Sequence, residues 1–188
     1  MVDSIVGELY RSRRPYREVD LPAVAGLYAF FLAETASLPP FCGPGDLVYV
    51  GKSESSLKDR DLNQHFQVGA SGHSTVRRPL GAILRREEGF KPLPRGPRRT
   101  AQDLRCYRFR QEDEEALSAW MQQSLEIGYV ALVNCEQRLP DLEESVLAAL
   151  VPPLNIDGRS AKRNPLAQTL LDLRAGCREE AERAPESY

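Results

Sequence analysis

The sequence predicts an α+β fold, a small central antiparallel sheet of about three strands flanked by helices and carrying a helical, basic insertion. Three observations predict it. Two aromatic and aliphatic runs, "GLYAFFLAE" at 26–34 and "DLVYVGK" at 46–52, are joined by the Pro/Gly loop "TASLPPFCGPG", which marks an antiparallel hairpin with a long connection. A third strand-like run, "EIGYVALVN", comes only after about seventy residues of mostly helical pattern. The chain has 188 residues, 41% hydrophobic and 28% charged, enough for one domain over 1–188 with a proper core.

The elements follow in order. Ser55 or Ser56 caps a helix from Leu57 to about Phe66. Ser74 opens a second helix, "STVRRPLGAILRREEG", which stops near Gly89, with Pro79 limiting its first turn. The segment 90–102 is a basic, Pro-rich loop, and "DLRCYRF" at 103–109 alternates like a short strand. A helix over 112–125 gathers its acidic residues at the N-terminus, where the helix dipole favours them. After the third strand, "DLEESVLAALV" at 141–151 is a helix stopped by Pro152 and Pro153. The tail "NPLAQTLLDLRAG" predicts one more amphipathic helix, with a frayed acidic end beyond Cys177.

Composition excludes several classes of function. No apolar run approaches the roughly 18 residues of a membrane helix, and the first twenty residues lack the order of a secretory signal. Cys42, Cys106, Cys135 and Cys177 form no CxxC pair, and with His65 and His73 as the only histidines a zinc site is not expected. Reduced thiols and a cytoplasmic location are the expectation. The net charge of −2 hides an asymmetry. Positions 52–110 hold 14 Lys and Arg against 6 Asp and Glu, whereas 111–157 hold one basic residue against ten acidic ones. Such a distribution suits a polyanion binder, and it equally suits two solvated faces that attract each other.

Five places then line up in order: Gly26-Leu27-Tyr28, Tyr49-Val50-Gly51, Arg60, Glu143 and Asn155. The set resembles the GIY-YIG nuclease family, whose two tripeptides open adjoining strands and stand here as "GLY" and "YVG". The glutamate, opening a helix that ends in "VPPLN", is closest to the arrangement in UvrC-like members. The resemblance covers 25–66 and 131–155 as the nuclease core. It leaves 67–130 as an insertion with peripheral elements and 156–188 as a C-terminal helix and tail. It implies a GIY-YIG endonuclease that cleaves DNA with one Mg²⁺ or Mn²⁺ ion, in restriction, defence or repair. A non-catalytic nucleic-acid-binding module on the same scaffold is the alternative. Strand preference, sequence specificity and oligomeric state stay open.

The physical chemistry of the residues supports that implication. Leu142, Val146, Ala149 and Leu150 form the apolar stripe of their helix. Glu144 points away from the stripe and Glu143 flanks it, so Glu143 is the candidate metal ligand. One hard carboxylate with waters suits Mg²⁺ or Mn²⁺. Arg60 can fork onto phosphate oxygens. Lys52, Arg60 and a metal ion would each favour the phenolate of Tyr28 or Tyr49, and either phenol can serve as base. The family places a tyrosine or histidine four residues after its arginine, where this chain has Gln64. His65 comes five later, about 140° around the helix from Arg60. A bulge would bring His65 into the site, and otherwise it is a capping or surface histidine. Asn155 completes the set. DNA contacts are expected from Ser74, Thr75, Arg77 and Arg78 at a helix N-terminus, then from Arg85, Arg86, Arg95, Arg98 and Arg99. The same arginines could instead pair with the acidic residues at 112–115.

Overall fold

In the computed structural model the described residues are 1–60, 64–133, 135 and 137–185, with Arg60 described by its backbone alone. The chain divides into two compact units, Met1–Asn63 with Met121–Ala167 and Gln64–Trp120 with Gln168–Tyr188.

The first unit is built on a four-stranded antiparallel sheet of order β1-β6-β2-β3, one strand more than expected. Its strands are β1 (Arg14–Pro15), β2 (Gly26–Leu32), β3 (Leu47–Ser53) and β6 (Leu125–Ala131). β2 is fully buried along its length and pairs with β3 on one side and β6 on the other. β6 pairs with β2 along its whole length, from Leu125 to Ala131. On one face Leu27, Ala29, Phe31 and Val50 pack with Ile5 and Leu9 of α1 (Val2–Arg11) and with Leu142 and Val146 of α6 (Leu139–Leu150). At Gly128 the α1 backbone comes so near that a Cβ would lie 1.9 Å from the Leu9 carbonyl oxygen. α6 ends as expected before the two prolines, with Val151 in the left-handed region at φ 45°. The short α7 (Gly158–Arg163) follows.

On the other side of Gly26 lies Leu57, the first residue of α2 (Leu57–Arg60). Ser56 is its cap, with Oγ accepting from the Asp59 N–H at 3.2 Å. Asp61, Leu62 and Asn63, which the expected helix to Phe66 includes, lie outside the described residues.

The second unit contains α3 (Arg77–Glu88), α4 (Ala101–Arg105), most of α5 (Gln111–Ser124) and α8 (Ala167–Arg183). Strands β4 (Pro92–Leu93) and β5 (Arg108–Phe109) make a two-stranded ribbon. Two expectations are corrected here. The strand expected over 103–109 is helical at its start, because Thr100 and Asp103 form a reciprocal capping box that opens α4. The tail does not fray at Cys177, since α8 runs on to Arg183 with Cys177 and Ala181 fully buried.

At the centre of this unit Arg77 is 0% exposed. Its guanidinium donates to Ser71 Oγ at 3.2 Å, Ser118 Oγ at 2.8 Å, the His65 carbonyl at 3.3 Å, and both the carbonyl and the carboxylate of Glu114, at 3.0 and 2.7 Å. Glu114 also accepts from Ser71 Oγ and from the Phe109 N–H. Burial pulls the Arg77 pKa below its ordinary value, and the Glu114 carboxylate opposes that pull. The expected phosphate contact at Arg77 is thus corrected: this guanidinium is a structural cation, with its donors spent inside the fold.

Candidate active site

The register of β2 on β3 decides which side chains can meet. Directly opposed residues share a face, so Tyr28 lies with Gly51 and Phe30 with Tyr49. Leu27 lies with Lys52 on the opposite face, the one that α6 covers. The tyrosine rings are 6.1 Å apart, both within about 6 Å of Phe30. Tyr28 is 0% and Tyr49 8% exposed. Gly51 explains the tripeptide: a Cβ there would stand 2.5 Å from the Tyr28 ring tip and hydroxyl and 2.9 Å from the Tyr49 ring. Gly51→Ala is therefore expected to push both rings aside, lowering stability by about 1–3 kcal/mol. Thermal unfolding checks this.

On the α6 face Lys52 Nζ stands 3.4 Å from Glu143 Oε2 and 3.5 Å from Glu54 Oε1. The adjacent Glu144 instead pairs with Arg159 of α7, whose hydrogen bond, aided by its charge, holds the carboxyl below the usual range. Glu143, 21% exposed, is thus the one of the two that faces the sheet margin. Glu143, Arg159 and Ser160 line one open groove. Arg159 was not among the expected site residues, although "GRSAKR" directly after "VPPLNID" is a compact basic signal.

Asn155 acts on the backbone. Its side-chain amide accepts from the Val50 N–H at 2.9 Å and donates to the Val50 carbonyl at 2.8 Å. The Leu154 N–H bonds to the Val48 carbonyl. Together they satisfy the outward-facing groups of β3, which ends the sheet, and so fix the strand that carries Tyr49, Gly51 and Lys52. Removing a partner from two bonds at a half-buried strand predicts that Asn155→Ala costs about 1–3 kcal/mol. A shift of the urea midpoint checks this.

The structure thus groups Tyr28 with Tyr49 and Lys52 with Glu143, on opposite faces of one strand end. Arg60 closes α2, on the face of the tyrosines as Leu57 is. His65 falls in the other unit. Its backbone is π-helical with that of Gln64, and its ring is 1% exposed with Nδ1 2.9 Å from Ser74 Oγ. A surface histidine it is not. Among the expected DNA contacts, Ser74 is buried and its Oγ caps its own helix through the Val76 and Arg77 N–H groups. Arg85 is buried beside Glu180, and Arg99 donates to the Ala181 and Glu182 carbonyls at the end of α8. Arg78 donates to the Gly72 carbonyl and Thr75 is half-buried, while Arg86 and Arg98 remain exposed. The anion site expected at the α3 N-terminus is corrected on this ground. The four cysteines are free, and burial pushes the Cys42 thiol up to about 12.

No group of three or more His, Cys, Asp or Glu able to hold a metal exists among the described residues. A lone carboxylate at an open margin fits a hydrated hard cation that takes its remaining ligands from water and phosphate. It does not fit a closed zinc cage.

A sheet with the two tripeptides on adjoining strands, an arginine helix on one face and a glutamate helix on the other defines a nuclease scaffold of the GIY-YIG type. The family model described as the GIY-YIG catalytic domain matches residues 44–176, and the chain belongs to that family. Nuclease chemistry on nucleic acid and the use of a divalent metal are general to it. Comparison with curated proteins and with solved structures returns no match. No helix among the described residues is long and apolar enough to cross a membrane.

Proposed function

We propose that this chain is an endonuclease that hydrolyses DNA phosphodiesters with one Mg²⁺ or Mn²⁺ ion. The observation that carries the reading is the placement of Glu143 beside Lys52, at the end of the strand that holds Tyr49 and Gly51. Hydrolysis adds negative charge to an anionic phosphorus centre, so cationic donors must surround it. Glu143 would hold the ion, which when bound supplies Lewis-acid stabilisation of phosphoryl oxygens. Lys52 supplies a cation beside Glu143, and Arg60, at the end of α2, is the second cation this reading calls on. One of the paired phenols takes the proton of the attacking water, and Asn155 keeps β3 in register. Restriction, defence and repair are settings that such an activity serves, and the cytoplasm is where it would act.

Cleavage of supercoiled plasmid and labelled single-stranded DNA, with Mg²⁺ and then with EDTA, tests this. The account expects cutting with the metal only, and the substrate cut identifies the strand preference. Intact substrates bound in a salt-dependent way would assign the scaffold a non-catalytic nucleic-acid-binding role.

A further inference from the structure

The second unit holds a pocket of about 350 Å³ between the Pro-rich loop and the end of α8. Arg95, Arg99 and Arg108 line it, along with Pro94, Pro97 and Pro185, and among the described residues no Asp or Glu does. Arg95 and Arg99 share the Pro-rich loop, and the fold brings a third guanidinium to them from another element. Arg108 comes from β5, and its partner strand β4 leads directly into the loop that bears Arg95. The Arg95 stem packs over Gly72, where a Cβ would stand 2.9 Å from both its Cγ and Cδ. Its head is 3.6 Å from Asp103, whose carboxylate also caps α4 through Thr100. Arg99 takes a left-handed φ of 52°, costly for a residue with a side chain, and its bonds to the α8 carbonyls hold it there.

We propose that this pocket is a phosphate-binding site, occupied by a backbone phosphate of the nucleic-acid strand. The proposal rests on the nucleic-acid reading above. Guanidinium forks match phosphate oxygens, and apolar proline walls suit the sugar beside it. The volume admits about one nucleotide unit and no duplex. The pocket replaces the α3 N-terminus as the anion site of the insertion, since that terminus is capped by Ser74.

The test is binding of a labelled oligonucleotide to the full chain in EDTA across a salt series, with Arg95→Gln/Arg108→Gln as the variant. Arg99 is left in place because it also closes α8. The variant should bind roughly tenfold more weakly, and its salt dependence should fall by about 0.7–0.9 units of slope, the share of one phosphate. Arg95→Lys/Arg108→Lys should recover the slope, which a merely misfolded glutamine variant would not explain. Inorganic phosphate should compete in the wild type and lose that effect in the glutamine variant. Unchanged affinity and slope would overturn the proposal. Phosphate competition without any change in oligonucleotide affinity would also overturn it, and would make the site one for free phosphate. Plasmid cutting by the same protein with Mg²⁺ reports on the nuclease reading separately, so the two can fail independently.

Discussion

Arg77→Ala should destabilise the protein by about 3–5 kcal/mol, because it strips the partner from a buried carboxylate. Glu114 would be left almost fully buried, with Ser71 Oγ and the Phe109 N–H as its remaining donors among the described residues. Against a total stability of about 5–15 kcal/mol, that is enough to unfold much of the population at 37 °C. Thermal and urea unfolding measure it. Arg98→Ala, at an exposed position in the neighbouring loop, should leave the melting temperature within experimental scatter. Replacing both partners, Arg77→Met with Glu114→Leu, should cost less than Arg77→Ala alone, since no charge is then stranded. The contrast separates a structural arginine from a phosphate contact: Arg77→Ala would weaken DNA binding only in proportion to the protein that unfolds.

Glu143→Gln is expected to lower cleavage by about a thousandfold or more while leaving the fold intact. If Glu143 holds the ion as proposed, losing its charge removes several kcal/mol of transition-state stabilisation, and each 1.4 kcal/mol is a factor of ten. The cost to stability should stay within about 1 kcal/mol, because the pair with Lys52 is partly solvated and Glu54 stands on the other side of the ammonium. A single-turnover rate beside a melting curve checks both halves. Glu144→Gln should leave the rate nearly unchanged, since that carboxylate pairs with Arg159 at the surface.

The hairpin and the glutamate helix were legible because each carries a local signal: aromatic runs around a Pro/Gly loop, and the apolar stripe Leu142, Val146, Leu150 closed by two prolines. The choice of Glu143 over Glu144 followed from that stripe together with the spacing to Asn155 that the resemblance implies. α1 went unassigned although Val2, Ile5, Val6 and Leu9 repeat at helical spacing. The arginines misled for a different reason. Charge counting sees a basic segment, but nothing local says that Arg77 turns inward to Glu114, thirty-seven positions away. Asn155 likewise reads as a site residue in sequence, and only the pairing of strands shows that it bonds Val50. Long-range partners, not residue types, were what the sequence withheld.

The central claim is that Glu143 makes this scaffold a metal-dependent nuclease. Its most direct test is conversion of supercoiled plasmid by wild type and by Glu143→Ala, in Mg²⁺, with DNA binding of both proteins measured in EDTA. The account predicts cutting by the wild type, none by the variant, and equal binding by the two. Equal cutting by both proteins would contradict it.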